Sequence, residues 1–127
     1  MKISVVTICY NSRLFIEKTI LSVINQSYED LEYIVVDGGS TDGTLDVIHK
    51  YSNRITKWIS EKDEGIYNAM NKALDIITGD WVIFMNSGDC FYRYDVLSNI
   101  DFLKYSEASC CGVIYGNGIS LYRKKRL

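Results

Sequence analysis

The sequence contains no proline and a single histidine. The absence of proline is unusual and gives no information about function. His49 lies in a helical pattern with no cysteine or second histidine near it in sequence, so we expect a surface or packing residue rather than a metal ligand. The cysteines match no zinc-binding spacing, and the adjacent Cys110 and Cys111 make a poor disulfide framework. Reduced thiols in the cytoplasm are the simplest expectation.

Long apolar runs and an excess of basic residues are also missing. The first ten residues, MKISVVTICY, hold too short an apolar run for a signal peptide or a membrane span. The formal net charge of −2 argues against a nucleic-acid partner, because nucleic-acid-binding domains usually carry a basic face. The basic run from Arg123 to Arg126 is expected to be a solvated tail. Peripheral contact with anionic lipid at the inner face of the cell membrane is the alternative.

Two common phosphate-binding motifs are absent as well. No G-x-x-x-x-G-K-[ST] loop is present, and the first predicted strand is not followed by G-x-G-x-x-G. An ATP-type P-loop and a dinucleotide fingerprint are therefore not expected.

What the sequence does contain is a regular alternation of strand and helix patterns. Strands are predicted at Ile3–Cys9, Leu31–Val36, Thr56–Ser60, Trp81–Met85 and Gly112–Tyr115, with residues at helical spacing between them. Alternation of this kind predicts parallel pairing by right-handed crossovers. We therefore predict one domain over residues 1–127, an α/β fold with a doubly wound, mostly parallel sheet and helices on both faces.

Several local features of this pattern are specific enough to test. Asn11 and Ser12 are predicted to cap the first helix, and Gly79 is predicted to end the third. A fourth helix is predicted around Leu97 to Leu103. The run Trp81–Met85 is apolar without a break, which is typical of a strand buried on both faces in the middle of a parallel sheet.

Polar loops follow the predicted strands at their carboxyl ends, where ligands bind in open α/β sheets. With a strand order of 3-2-1-4, all of these loops would line one crevice. Its rim would carry the carboxylates of Asp37, Asp42, Asp63, Glu64 and Asp89. Each would repel a diphosphate by about 4 kcal/mol at ~4 Å and an effective dielectric near ~20. The rim is therefore predicted to be a Mg²⁺– or Mn²⁺–diphosphate site, or no phosphate site at all.

The alternative is that these acids only form turns and cap helices. That is the expectation for Asp42, together with Ser40. Asp63 is a cap candidate for the third helix, where Glu64 would favour the positive end of the helix dipole. The alternative is weaker for Asp37 and Asp89, because both follow directly on predicted buried strands.

Four segments of the chain resemble the family-2 glycosyltransferases, which have the GT-A fold. They are SVVTICYN, IVVDGGSTDGT, SEKDEGIYNAMNKALDIITGDW and FMNSGD. The resemblance is to enzymes that build bacterial cell-surface polysaccharides in particular. It implies a nucleotide-diphospho-sugar donor, a saccharide or lipid-linked saccharide acceptor, and inversion at the anomeric centre. A carboxylate base would deprotonate the acceptor hydroxyl while a metal ion stabilises the departing diphosphate.

The resemblance also assigns roles by position in the sequence. Nucleotide-sugar contacts would come from Ile8, Cys9, Tyr10, Asn11, Asp37, Asp63, Asn71, Ser87 and Gly88. Asp89 matches the last acid of the family's D-x-D-type motif and would hold Mn²⁺ or Mg²⁺.

Two departures from the family pattern affect the expected site. The chain has Asp37-Gly38-Gly39-Ser40 where many relatives have Asp-Asp-Gly-Ser, which leaves the nucleobase open. FMNSGD lacks the earlier acid of the metal motif, so Asp89 would hold the ion largely alone and more weakly.

The family's catalytic base lies after the strand that corresponds here to Gly112–Tyr115, so it is expected beyond Leu127. We therefore expect a truncated product, or one whose site partner chains complete, with weak nucleotide binding and poor or no transfer. Self-association through apolar surface left uncovered is a further hypothesis. Two other functions remain open from the sequence: a catalytically inactive nucleotide-sugar-binding or scaffolding module, and a flavodoxin-like or receiver-type signalling domain.

Overall fold

The computed structural model describes residues 1–102. Its strands are β1 (Ile3–Cys9), β2 (Leu31–Asp37), β3 (Lys57–Ser60) and β4 (Trp81–Phe84), and its helices are α1 (Ile16–Ile24), α2 (Thr44–Lys50) and α3 (Ile66–Leu74). Two short 3₁₀ turns cover Ser52–Arg54 and Leu97–Asn99. The predicted strand Gly112–Tyr115 and the basic run lie outside the described residues. Within residues 1–102, none of the helices has the length and apolar character needed to cross a membrane.

The four strands form a parallel sheet in the order β3-β2-β1-β4. This confirms the predicted order and the α/β class. Val5 of β1 lies opposite Tyr33 of β2 on one side and Ile83 of β4 on the other. Because all strands run in the same direction, their carboxyl ends and the loops that follow them share one edge of the sheet.

Helices cover both faces of the sheet, as predicted. On one face, Val5 belongs to a buried cluster with Ile20 of α1 and Ile48 of α2. On the other face, Val6 packs in a cluster with Ala69 and Ala73 of α3. Successive strand residues point to opposite faces, so the nearly continuous apolar sequence of β1 contributes to both clusters.

β4 differs from its prediction in burial. It lies at the edge of the sheet formed by residues 1–102, and all of its residues are only partly buried, whereas β1 is buried throughout. The prediction of a strand fully buried on both faces was therefore wrong, whereas its place in the middle of the sheet depends on the predicted strand Gly112–Tyr115, which lies outside the described residues. Its apolar run has another reason: Ile83 packs on the α1 face and Phe84 on the α3 face.

The predicted cap of α1 was wrong. The helix begins at Ile16, three residues later than a Ser12 cap would place it, and no side chain caps it. Instead, the carbonyl oxygen of Ser12 accepts hydrogen bonds from the amides of Phe15 and Ile16, at 2.9 Å each. Asn11 and Ser12 therefore belong to the turn before the helix.

Gly79 does not end α3, because the helix already stops at Leu74. Its role is close packing: a Cβ at residue 79 would lie 2.5 Å from Ser4 Oγ and 2.6 Å from Ser4 N. The amide of Gly79 donates to Ser4 Oγ at 2.9 Å, and Ser4 Oγ donates to the buried Glu32 at 2.5 Å. Thr78 donates both its amide and its hydroxyl to the Glu32 carboxylate. This cluster attaches the α3–β4 connection to the amino-terminal edge of the sheet. In the region of the fourth predicted helix, the described residues form the 3₁₀ turn Leu97–Asn99 and a helical residue at Phe102, and Leu103 lies outside the described residues.

Candidate functional site

Asp37 ends β2 and holds the carboxyl edge of the sheet together. Its side chain is fully buried. Oδ2 accepts hydrogen bonds from the amides of Gly39 and Ser40, at 3.1 and 2.9 Å, and from Ser60 Oγ at 2.7 Å. Oδ1 accepts from Ser40 Oγ at 2.5 Å and from the thiol of Cys9 at 3.5 Å. The carboxylate thus joins the ends of β1, β2 and β3.

These hydrogen bonds decide the charge of Asp37. Burial alone would raise its pKa, but the bonds from Ser40, Ser60 and Cys9 outweigh burial and hold the pKa below its usual value. The carboxylate is therefore ionised at neutral pH, with its oxygens engaged by its own loop and neighbouring strands. In this structure Asp37 shapes the site, and its direct contact with a nucleoside stays a prediction.

The thiol of Cys9, at the end of β1, lies near several of the predicted rim acids. Burial raises the pKa of its thiol, and the negative charges of Asp37, Asp42 and Asp63 raise it further. Each of these three predicted rim acids therefore lies close enough to Cys9 to act on its thiol. The protonated thiol faces β2, where its hydrogen-bond acceptors are Asp37 and the carbonyl of Val36.

The loop after β1 is fastened to the loop after β2. The amide of Asn11 donates to Ser40 Oγ at 2.8 Å, and the amide of Thr41 donates to Asn11 Oδ1 at 2.9 Å. Asn11 has a φ of 45°, a left-handed conformation that asparagine tolerates better than most residues. Tyr10, beside it, is 63% exposed. The two loops form one fixed wall of the crevice, with an aromatic ring on its surface.

Asp42 has the turn-forming role expected from the sequence. Its Oδ1 accepts hydrogen bonds from the amide and hydroxyl of Thr44, and its Oδ2 accepts from the amide of Arg13 at 3.2 Å. The bonds from Thr44 and Arg13 lower the pKa of Asp42.

Asp63 lies in the loop between β3 and α3, and its carboxylate lies beside Gly38, the residue that follows β2. Its Oδ1 accepts a hydrogen bond from the amide of Gly65 at 3.1 Å, so it forms a turn before α3, and the predicted side-chain cap of that helix is absent. Its Oδ2 lies 2.7 Å from the position that a Cβ of residue 38 would take. Asp63 is partly exposed, which leaves it open to a ligand in the crevice.

The loop after β4 places Asp89 at the surface. The amide of Ser87 donates to the carbonyl of Ile8 at 3.1 Å, which continues the pairing of β4 with β1. Gly88, with a φ of 99°, donates its amide to Thr19 Oγ1 of α1 at 3.0 Å. These contacts fix the loop, and the side chain of Asp89 stays exposed.

Two oxygen atoms beside Asp89 have no hydrogen-bond partner in the described part of the chain. They are Oδ1 of Asn86 and Oγ of Ser87, and both are buried. The amide of Asp89 donates to the carbonyl of Asn86 at 2.9 Å, so all three residues belong to one turn. Buried polar atoms are nearly always satisfied, and such exceptions indicate a missing partner. Carboxylate, carboxamide and hydroxyl oxygens are the donors that Mg²⁺ and Mn²⁺ prefer.

The residues present fit a divalent cation that receives only some of its ligands from the protein. No group of three or more histidine, cysteine, aspartate or glutamate side chains suited to a metal occurs in residues 1–102. Mg²⁺-type ions are commonly bound by one or two carboxylates, with water and substrate phosphates as the other ligands. Asp89 and its turn match that arrangement, whereas the buried Asp37 does not contribute to it.

Asn71 is not directed toward the sheet. Ala69 and Ala73 of α3 face the sheet, and at about 100° per residue Asn71 falls on the opposite side of the helix. Its side chain is exposed. Its contact with the donor stays a prediction that the orientation of α3 does not support.

Sequence reasoning placed Ser60 and Asn86 in the loops at this edge but gave neither residue a role. Ser60 lies opposite Asp37 in the β2–β3 register, which brings its hydroxyl to the buried carboxylate. In the sequence Ser60 is only a hydroxyl residue at the end of a predicted strand. Its contact with Asp37 becomes evident only when the β2–β3 register is known. Asn86 gave the signal of a polar residue directly after an apolar run, but only burial shows that its oxygen lacks a partner.

Comparisons with known proteins agree with this geometry. The family model described as "Glycosyl transferase family 2" matches residues 4–127. The putative teichuronic acid biosynthesis glycosyltransferase TuaG of Bacillus subtilis (strain 168) is 38% identical over 111 residues, which are 85% of this chain and 43% of TuaG. The chain spans between 37% and 43% of the length of curated relatives that it matches.

Two solved structures show the same fold. S. aureus TarS 1-349 in complex with UDP-GlcNAc superposes with a TM-score of 0.72 at 29% identity, covering 84% of this chain and 31% of TarS 1-349. The mannosyltransferase PcManGT from Pyrobaculum calidifontis, solved with GDP-Man and Mn²⁺, gives a TM-score of 0.72 at 28% identity, covering 77% of this chain and 30% of PcManGT. The described sheet and helices are thus those of a GT-A glycosyltransferase, which replaces the flavodoxin-like and receiver-type alternatives. The chain belongs to glycosyl transferase family 2.

Proposed function

We propose that this chain forms the donor-binding part of an inverting, metal-dependent glycosyltransferase of surface polysaccharide synthesis. The observation that carries the proposal is the turn at residues 86–89, where an exposed carboxylate lies beside two buried oxygens without partners. This turn lies at the carboxyl edge of the sheet, where ligands of α/β folds bind. The substrates of similar proteins support it: TarS was solved with UDP-GlcNAc, and PcManGT with GDP-Man and Mn²⁺. TuaG supports the polysaccharide role by its description.

The nucleoside would lie against the wall made by the loops after β1 and β2. The hydrogen bonds between Asn11, Ser40 and Thr41 fix this wall in advance, so little conformational entropy is lost when a ligand binds. Tyr10 offers an exposed ring on the same wall, and Asp63 offers a carboxylate that can accept a hydrogen bond.

The diphosphate would lie toward Asp89. A bound Mn²⁺ or Mg²⁺ would neutralise the diphosphate and, as a Lewis acid, stabilise its charge as it leaves. Asp89 would hold the ion from the protein side, and Asn86 Oδ1 and Ser87 Oγ would supply further oxygen donors in its turn. Deprotonation of the acceptor hydroxyl requires a base, and we assign none of residues 1–102 to that role. A catalytically inactive nucleotide-sugar-binding module is the second candidate, because donor binding requires no such base.

A thermal-shift panel of UDP-, GDP- and dTDP-sugars, with and without Mn²⁺, tests the donor site. We expect at least one donor to raise the Tm, and to raise it more when Mn²⁺ is present. Asp89→Asn should remove the Mn²⁺-dependent part of the shift. Asp75→Asn is the matched control, because Asp75 is an exposed acid at the other end of α3. If no donor raises the Tm under either condition, the donor site is contradicted.

The same preparations separate an enzyme from an inactive module. Sugar-nucleotide hydrolysis or transfer that requires Mn²⁺ and disappears in Asp89→Ala supports an enzyme. Donor binding without any turnover supports the inactive module.

A further inference from the structure

Polar side chains on one side of α1, and just beyond its end, hold the segment that follows β4. Thr19, Ser22 and Gln26 are spaced at i, i+3 and i+7, which places them along one side of the helix. All of them hydrogen-bond to the main chain between residues 88 and 97. Between β4 and the 3₁₀ turn at Leu97 the chain has no helix or strand of its own, so its amides need partners elsewhere. These side chains therefore attach an irregular segment to the fold.

Two of the attachments lie on either side of Asp89. The amide of Gly88 donates to Thr19 Oγ1 at 3.0 Å, and the amide of Phe91 donates to Ser22 Oγ at 3.2 Å. Ser22 Oγ in turn donates to the carbonyl of Thr19 at 2.8 Å, which joins the two attachments. Thr19 is fully buried, so water cannot replace its hydroxyl as the partner of the Gly88 amide.

Gln26 holds the same segment further along. Its Nε2 donates to the carbonyl of Arg93 at 2.6 Å, and its Oε1 accepts from the amide of Leu97 at 3.2 Å. Both of these backbone groups come after Phe91 in the chain, so they attach the segment without bracketing Asp89. The attachments beside Asp89 and those remote from it can therefore be removed separately by mutation.

We propose that Thr19 and Ser22 are positioning residues for the divalent cation of the donor site. The inference rests on the proposed function of the turn at residues 86–89. Because both hydrogen bonds go to the backbone on either side of Asp89, they limit where its carboxylate lies relative to the two buried oxygens of that turn. An ion that takes few ligands from the protein depends on their being held in advance, since ordering them on binding costs free energy. The two hydroxyls act through the backbone and do not bind the ion.

Titration of the full chain with Mn²⁺ alone, followed by electron paramagnetic resonance, tests the inference. The signal of free Mn²⁺ decreases when the ion binds, so the dissociation constant is measured without donor or turnover. Thr19→Val keeps the shape of the side chain but removes the acceptor for the Gly88 amide. We expect it to weaken Mn²⁺ binding by about tenfold, as for other groups that support metal ligands without binding the metal. Ser22→Ala should weaken it in the same direction, and Thr19→Ser, which retains the hydroxyl, should keep the wild-type constant.

Gln26→Leu is the matched control. It removes two hydrogen bonds to the same segment, so it should lower the Tm, but it leaves the attachments beside Asp89 in place. We expect its dissociation constant for Mn²⁺ to equal that of the wild type. Circular dichroism melts give the Tm of each variant. Loss of Mn²⁺ affinity in Thr19→Val and Ser22→Ala, without loss in Gln26→Leu, distinguishes positioning of the ion from a general contribution to stability.

The inference and the proposed function fail in different ways. Equal Mn²⁺ binding by the wild type and Thr19→Val, or an equal loss in Gln26→Leu, overturns the inference, whereas wild-type binding that Asp89→Asn removes upholds the metal site. If Thr19→Val does not fold, Ser22→Ala decides by the same comparison, because Ser22 is only partly buried. A wild-type chain that does not bind Mn²⁺ contradicts both the inference and the metal part of the proposed function.

Discussion

Two acids that look alike in the sequence have opposite environments in the structure. Asp37 is buried, and its hydrogen bonds from Ser40, Ser60 and Cys9 lower its pKa. Asp63 is partly exposed and is held by one amide, that of Gly65. A buried charge without a cation persists only when its lone pairs are filled, so Asp37 belongs to the scaffold. Asp63 keeps the capacity to bind a ligand.

Replacing Asp37 should therefore reduce stability rather than only donor binding. In Asp37→Asn, the amide group would face donors and leave them buried and unpaired, so we expect a loss of about 3 kcal/mol in the free energy of unfolding. Urea unfolding at neutral pH measures it, with Asp75→Asn as the exposed control. An unchanged midpoint would contradict the scaffold role.

The pH dependence has a definite sign. Because the pKa of Asp37 is lowered in the folded state, its contribution is fully present above the unfolded pKa of about 4 and is lost as the pH falls through the folded pKa. Urea unfolding at several pH values between neutral and acid measures this dependence. The free energy of unfolding should decrease less steeply with falling pH for Asp37→Asn than for the wild type.

The two edges of the sheet are built differently. At the amino-terminal edge, the buried Glu32 accepts hydrogen bonds from Ser4 and Thr78, and Gly79 lies directly against β1. At the carboxyl edge, the loops are tied to one another by hydrogen bonds but leave side chains exposed. The closed edge anchors the β4 segment, and the open edge presents the candidate site.

Gly79→Ala tests how tightly the closed edge is packed. The added Cβ would meet the amide of Ser4 at 2.6 Å and the carbonyl of Lys2 at 3.0 Å, both backbone atoms at the start of β1 or directly before it. We expect a loss of about 3 kcal/mol in the free energy of unfolding, at the upper end for overpacking. Gly65→Ala is the comparison, since nothing lies within 4 Å of its Cβ position and only its φ of 118° opposes the change. It should cost about 1 kcal/mol, and an equal or smaller loss for Gly79→Ala would contradict the packing argument.

Exposed apolar side chains lie next to the candidate site, in the turn between β1 and α1. Leu14 is 86% exposed and Phe15 is 56% exposed, both in the turn between β1 and α1. Phe15 lies beside Gly88 of the Asp89 turn. Exposed apolar groups clustered next to a binding site are typical of surfaces that contact another protein or another part of the same assembly.

We predict that the chain self-associates through this surface. The double substitution Leu14→Ser and Phe15→Ser should convert an associated species into a monomer, measured by light scattering after gel filtration. Leu74→Ser is the control, because Leu74 is 49% exposed at the far end of α3. A wild-type chain that is monomeric at high concentration would contradict the prediction.

Local patterns were sufficient for the strands and the helix faces of the described residues, and they indicated the loops at the carboxyl edge as the place to look for a site. The apolar runs of β1 and β2 and the helical spacing of Ala69 and Ala73 reflect burial that every neighbouring residue shares, so they can be read from the chain alone. Asp37 was likewise located by its place at the end of an apolar run, and Asp89 by its place in the turn that follows one. The helix boundaries were less well predicted, because Asn11 and Ser12 hydrogen-bond to a turn rather than to α1.

The sequence could not show which acid is buried with its hydrogen bonds filled and which stays partly exposed, since that depends on contacts between distant segments. Asp37 is saturated because the parallel register places Cys9 and Ser60 opposite it on two different strands. Asp63 reaches the end of β2 because residue 38 has no Cβ in its way. The order of residues thus specified the elements and their chemistry, through burial and local hydrogen bonding. The division between scaffold and binding site arose only when register and close packing brought the strand ends together.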